Sequence, residues 1–408
     1  MSHPQNDSSA APEGSANALD TRLAQAGYQA PGSFESLVAP IHHASTVVFP
    51  NLAEMRARNW ERDDVYTYGL HGTPTTRELE DRLADIEGGR HCVLAPSGLA
   101  AISMIDFAFL KTGDELLLPH NVYLPNRELA RTLLADLGIV ARHYDPLDAA
   151  ALSLLITPRT RLVWLESPGS VTMEVADLRG LVAVVAAANA RRPAAERIVT
   201  ALDNTWGAGL ALKPFELGID VSMQALTKYQ SGGSDVLMGA AITRDQALHL
   251  RLKTSHMRTG LGVGADDAWL VLRGLKSLPL RYAAHDRGAR ALAHWLAARP
   301  EVARVLHPAL PSCPGHEFWL RDFSGAGGLF SVVFDARYGT AQVERFVEAL
   351  KLFPLGYSWG GASSLSMIYP PSRTGTLSEK GAVVRFNVGL EAPDDLIADV
   401  AQALAQLG

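Results

Sequence analysis

Cysteine is scarce: Cys92 and Cys313 are the only two in 408 residues, far apart and in no C-x-x-C pair. That excludes a disulfide scaffold and fits a reducing interior. Long apolar runs are missing too. The longest, LVAVVAAANA from Leu181, meets Arg191 and Arg192 well before the roughly 18 residues of a membrane span, and reads as a core helix. No sign of charge dominates: 37 Lys plus Arg against 43 acidic residues give a net charge of -6 without single-sign blocks. Neither nucleic acid nor an acidic membrane is expected as a partner. The nucleotide P-loop, GxGxxG, HExxH and G-x-S-x-G are all absent, as is any internal repeat. The histidines, His42-His43 and His120 among them, have no spacing that would gather a metal, and none is expected.

What the chain has is apolar residues, 47% against 20% charged, enough for two or three domains. Its start, MSHPQNDSSAAPEGSANALD, is small and polar without a signal-peptide stretch, and 1–17 reads as a disordered leader. From about residue 75 helix and strand patterns alternate. TTRELEDRLADIEGG has Thr75 three residues before Glu78, the spacing of a capping box; Leu79, Leu83 and Ile86 form one stripe, and Gly88-Gly89 ends it. HCVLAP, ELLLPH, RLVWLESPG, RIVTALDNT and DVSMQALT are near-continuous apolar strands, which predicts an α/β domain whose sheet is buried on both faces. A helical stretch over 245–300, with a long joining helix near residue 270, leads to the strands LFSVVFDA and GAVVRFNVGLE and the helices AQVERFVEALKLF and DDLIADVAQALAQLG. These predict a smaller α+β domain.

Three groups then fall at one sheet edge. Ser97-Gly98-Leu99 follows the strand HCVLA and opens a helix; the amides of Gly98 and Leu99 point where a helix start favours an anion, although most such turns bind nothing. Asp203 ends the strand RIVTALD, on the edge where open α/β sheets bind ligands, or else it caps the turn that follows. Lys228, in QALTKYQSGG, is either surface charge past a strand end or a nucleophile held where its proton can be lost. A lysine to form a Schiff base with an aldehyde, a carboxylate to keep a pyridine nitrogen protonated and a helix start to hold one phosphate make up the inventory of a pyridoxal 5'-phosphate (PLP) site. Tyr123, in PHNVYLPN, either stacks on a flat cofactor or is an ordinary core or surface tyrosine. Arg385 stands between apolar Val384 and Phe386, its head at the rim or in the site.

Beyond these groups, ESPGSVTMEV (166–175), DNTWGAG (203–209), DVSMQALTKYQSGGSD (220–235), HPALPSCPGHEFWLRDFSGAGGLFS (307–331), YSWGG (357–361) and the closing VRFNVGLEAPDDLIADV resemble the Cys/Met-metabolism family of PLP enzymes. Within it they are most similar to the bacterial cystathionine β-lyases, and the likeness runs from about Ala18 to the C-terminus. It implies the type I, aspartate aminotransferase-like PLP fold: an arm over 18–72 that contacts a neighbouring subunit, a PLP-binding domain with a large mostly parallel sheet over 73–272, and a smaller α+β domain over 273–408. It also implies a homotetramer, a dimer of dimers. Lys228 would carry the cofactor and later move the α-proton. Thr227 would join Gly98 and Leu99 at the phosphate, Asp203 would partner the pyridine nitrogen, and Tyr123 would stack on the ring and act catalytically in the exchange of the lysine for the substrate amine. Arg385 would clamp the substrate carboxylate with its planar guanidinium. Ser358 and Trp359 would lie on the substrate side, Ser358 placing the lysine or the carboxylate. Tyr68 would reach the neighbouring subunit's cofactor site.

The chain departs from the family pattern at Leu70, where many members have an arginine; either Arg77, His71 or backbone amides replace that phosphate contact, or the cofactor is held less tightly. Ala225, where some members have serine, agrees with the β-lyases. The resemblance thus implies cytoplasmic β-elimination of L-cystathionine to L-homocysteine, pyruvate and ammonia. ESPGS, in place of the asparagine-proline pair common after ESP in γ-type relatives, and YSWGG favour this over a γ-lyase or γ-synthase. A broader cysteine-conjugate or cystine β-lyase would use the same groups, and a PLP-binding protein without turnover is the remote alternative.

Overall fold

The computed structural model describes residues 17–25, 36–62, 64–369 and 380–408; of the leader expected over 1–17, residues 1–16 lie outside them. Seven strands form the larger sheet: β1 (His91–Ala95), β2 (Glu115–Pro119), β3 (Val140–Tyr144), β4 (Thr160–Glu166), β5 (Val199–Asp203), β6 (Val221–Ala225) and β7 (Gly239–Thr243), in the order β1-β7-β6-β5-β4-β2-β3. Only β7 runs antiparallel to its neighbours, β1 and β6. Alternation along each strand feeds two cores. Leu116 and Leu118 of β2 and Leu162 and Trp164 of β4 pack with Ile102 and Ile105 of helix Gly98–Phe109. Leu117, Val163 and Leu165 enter the opposite core with Leu79 and Leu83 of helix Pro74–Glu87 and Leu181 of helix Leu178–Asn189. This is the doubly covered sheet that continuous apolar strands require.

Four antiparallel strands, β8 (Val302–Leu306), β9 (Leu329–Phe334), β10 (Leu365–Tyr369) and β11 (Val383–Asn387), form the second sheet in the order β10-β11-β9-β8. One face, with Phe330, Val332, Val384 and Phe386, packs on helices Leu278–Ala297 and Pro393–Leu404. The other face, with Val333 and Val383, joins the core of the large sheet. Arg385 shares that second face with Val383 by the period of two, so it is directed back toward the large sheet.

Two local readings change. The capping box lies two residues earlier than Thr75–Glu78: Pro74 takes the first turn, where its missing N–H is no loss, and makes Thr73 the cap. Thr76 N donates to Thr73 Oγ1 (3.4 Å) and Thr73 N to Thr76 Oγ1 (2.8 Å). Thr75 Oγ1 instead accepts from His42 N at 2.8 Å, fastening the preceding segment to this helix. The joining helix expected near residue 270 is a pair, Ala265–Leu275 and Leu278–Ala297, the second with proline in its first turn. Among the described residues no helix is long and apolar enough to cross a membrane.

Candidate active site

A cavity of about 520 Å³ opens at the carboxyl ends of β4, β5 and β6 and at the helix start that follows β1, where open α/β sheets bind ligands. Ala95, ending β1, and Ala225, ending β6, both pair with Gly239 of β7. The turn after β1 and the turn after β6 therefore flank β7 at one edge. The approach is close enough to need glycine: a Cβ on Gly98 would sit 2.8 Å from the Ala225 Cβ. Ser97 caps the helix, its Oγ accepting from Ala100 N at 3.0 Å, and the amides of Gly98 and Leu99 are left at the cavity without intrahelical acceptors.

Two carboxylates sit side by side on the floor, because Glu166 of β4 and Asp203 of β5 are in register. Asp203 Oδ1 accepts from Thr205 N at 3.0 Å, and Thr205 Oγ1 accepts from Ala225 N at 2.9 Å, tying the corner after β5 to β6. Glu166 Oε2 accepts from Tyr123 N at 2.7 Å. Burial raises both carboxyls; Thr205 and the Lys228 charge oppose this at Asp203, whereas the Asp203 charge raises Glu166 further. Of the pair, Glu166 is pushed up the more strongly, and Asp203 is the carboxyl whose charge the lysine favours.

Lys228 Nζ donates to Ser358 Oγ at 3.0 Å and stands 5.2 Å from the centre of the Trp359 ring. Burial, then the Arg385 charge, lowers its amine from 10.5 to about 8, with Asp203 opposing. Ser358 is held there by the next turn. Gly360 has φ +79, its N–H donates to Asn387 Oδ1 at 2.9 Å, and a Cβ on it would meet Tyr229 N at 2.9 Å. Arg385 is buried, donates to the Tyr357 carbonyl at 3.0 Å and lies 5.1 Å from the centre of the Tyr369 ring.

Gly98, Leu99 and Thr227 line one part of the cavity, with Tyr123, Asp203, Lys228, Trp359 and Arg385 around the rest; Ser358 joins through its bond to Lys228. Thr227 Oγ1 contacts Met238 N (3.2 Å) and O (3.3 Å). Half-exposed Tyr68 is not at this chain's cavity. Nor are His71 and Arg77: the Arg77 guanidinium pairs with Glu80 at 3.0 Å and donates to the His71 carbonyl at 2.6 Å. Glu166 and Thr205 were not singled out from the sequence. The signal for Glu166 was present, since RLVWLE ends on a carboxylate just as RIVTALD does.

Residues 20–405 match the model of the family described as Cys/Met metabolism PLP-dependent enzyme. The chain belongs to that family. A cystathionine β-lyase of Salmonella typhimurium is 38% identical over 397 residues, covering 95% of this chain and 98% of the relative. One of Bordetella avium is 40% identical over 401 residues, covering 96% and 98%. The crystal structure of metB from Corynebacterium glutamicum has a TM-score of 0.86 at 28% identity, over 96% of this chain and 99% of that one. The architecture is thus the type I PLP fold, a large mixed sheet with a smaller C-terminal α+β unit. The cavity fits the family cofactor. It offers free helix-start amides over a glycine too close to Ala225 for a side chain, a carboxyl at a strand end beside the lysine, an aromatic ring and a lysine whose proton is loosened.

Proposed function

We propose that this chain catalyses β-elimination of L-cystathionine to L-homocysteine, pyruvate and ammonia. The observation that carries the chemistry is the Lys228 amine, lowered to about 8 and held by Ser358 in a cavity that also holds Arg385. The names of the Salmonella and Bordetella relatives, matched over nearly their whole length, support the substrate.

The amides of Gly98 and Leu99 and the Thr227 hydroxyl would hold the PLP phosphate, Asp203 the proton on the ring nitrogen, and Tyr123 one face of the ring. Bound PLP supplies the electron sink that makes the substrate α-proton removable. Arg385 binds the substrate α-carboxylate through its planar fork. Lys228 is the base that takes the α-proton and the acid that returns a proton to the departing sulfur. Ser358 aims its amine, and Trp359 walls the substrate side.

We further infer a homotetramer built from two dimers, in which Tyr68 of the 18–72 arm completes the neighbouring site. Exposed Val48 (88%) on that arm and Leu237 (70%) at the cavity rim support a covering subunit. The same reading divides the rest into a cofactor-binding unit over 73–272 and a C-terminal unit over 273–408. The two free, buried cysteines suit a cytoplasmic setting.

Mass spectrometry of products after incubation of PLP-loaded protein with L-cystathionine tests the reaction. Homocysteine with pyruvate is expected. Cysteine with 2-oxobutyrate would overturn it in favour of γ-elimination, and no product from any sulfur amino acid would leave a PLP-binding protein.

A further inference from the structure

The segment DNTWGAG contains an asparagine and two glycines that the cofactor reading leaves unused, and they converge on a carboxylate. Glu87, the last residue of helix Pro74–Glu87, is fully buried. Its Oε1 accepts from Asn204 Nδ2 at 2.7 Å and from Ser222 Oγ; its Oε2 accepts from Gln224 Nε2. Gln224 Oε1 in turn accepts from Gln230 Nε2. Lys213 Nζ, donating to the carbonyls of Ile86 and Gly209 at 2.6 Å each, supplies a countercharge. The backbone is shaped around this group. A Cβ on Gly209, already at φ +68, would lie 2.4 Å from Glu87 Oε2, and one on Gly207 would lie 2.4 Å from Asn204 Oδ1.

The partners are not scattered. Asn204 directly follows Asp203, while Gln224 and Gln230 bracket Thr227 and Lys228. Burial raises the Glu87 carboxyl from 4.5 to about 7, and an apolar residue of similar volume would often serve stability as well as a buried carboxyl, so its use lies in what its hydrogen bonds hold in place. We propose that Glu87 is a positioning residue for the cofactor site, setting the Asp203 corner through Asn204 and the Lys228 turn through Gln224 and Gln230. This rests on reading Lys228 as the cofactor lysine but not on which substrate is used.

The test uses full-length Glu87→Gln, Gln230→Met and, as control, Ser222→Ala, whose bond to Glu87 leads to neither Asp203 nor Lys228. Without substrate, three quantities are measured: the dissociation constant for PLP from titration of the apoprotein, the midpoint pH of the bound-PLP absorbance change, and the thermal midpoint of the apoprotein. Glu87→Gln and Gln230→Met are expected to weaken PLP binding about tenfold and move the midpoint by about half a pH unit or more. Ser222→Ala is expected to leave both within about twofold of the parent, whatever it does to the thermal midpoint. If Glu87→Gln changes only the thermal midpoint, or Ser222→Ala moves the PLP readouts as far, the positioning role is overturned. If Glu87→Gln does not fold, Gln230→Met decides by the same criteria. A Lys228→Ala protein with the parent's PLP spectrum would instead remove the lysine reading, and this inference with it.

Discussion

Replacing Ser358 with alanine isolates the aim of the Lys228 amine. The Lys228 amine has two neighbours of known geometry, the Ser358 hydroxyl at 3.0 Å and the Trp359 ring at 5.2 Å. The ring contact contributes about 0.5–1 kcal/mol and tolerates a range of amine positions, whereas a hydrogen bond from a charged donor contributes about 1.5–3 kcal/mol and is directional. If that bond directs the amine at the substrate α-carbon, its loss should lower kcat about ten- to a hundredfold, at 1.4 kcal/mol per decade. The anchors proposed for PLP, at Gly98, Leu99 and Thr227, are untouched, so cofactor content should equal the parent's. Arg385 is untouched too, so KM should change little. The assay is pyruvate release from L-cystathionine, with PLP content measured on the same samples. A kcat within twofold of the parent at full PLP content would refute the aiming role, and a fall explained by lost PLP would move Ser358 to cofactor binding.

Arg385→Leu should raise the Lys228 titration above its value of about 8, because the guanidinium is the second cause of that depression after burial; the pH dependence of amine modification in the apoprotein checks it, and an unmoved midpoint refutes it. Gly98→Ala should weaken PLP binding about tenfold, since the new Cβ would lie 2.8 Å from Ala225; a parental dissociation constant would show that the helix start does not hold the phosphate. Asp106 offers a pH test of stability, with Oδ1 accepting from Trp164 Nε1 at 2.8 Å, Oδ2 without a partner among the described residues and its carboxyl raised by burial from 3.8 to about 7. The folded chain keeps a proton that the unfolded chain has lost, so this group's stabilising contribution is full below the ordinary value and disappears as pH rises through 7. Asp106→Asn should therefore gain up to about 4 kcal/mol on the parent between about pH 4 and pH 8, a slope read by chemical denaturation of the apoprotein; parallel curves would refute it.

The sequence made legible what is local or periodic. β2, with all five residues buried, and β4 were readable because continuous apolar runs of that length have few other uses. β7 was missed: Gly-Ala-Ala-Ile-Thr is poor in strand-forming residues. Its composition answers to contact instead, since a Cβ on Gly239 would lie 2.4 Å from the Ser97 carbonyl. The exposed start of β3 and the partly exposed β8 also hid their strands, because a half-solvated edge carries no unbroken apolar signal. The capping box was displaced by one competing residue, Pro74.

The site shows the same division more sharply. Asp203 and Lys228 could be placed at strand ends from sequence because each follows its own apolar run. That Glu166 stands beside Asp203 depends on the register of β4 against β5, and a slip of one residue would turn it to the opposite face. Glu87 is further from view, since its donors Asn204, Ser222 and Gln224 follow it by more than a hundred residues and reach it only because the last residue of the helix before β1 lies beside β6 and the turn after β5. Its own surroundings in sequence, DIEGG, read as a solvated helix end, where a carboxylate at a C-terminus is disfavoured by the helix dipole. That local rule is broken here and met by three donors, of which Asn204 adjoins Asp203 and Gln224 precedes the Lys228 turn. A conflict between local preference and tertiary placement is expected where a fold is holding a site rather than itself.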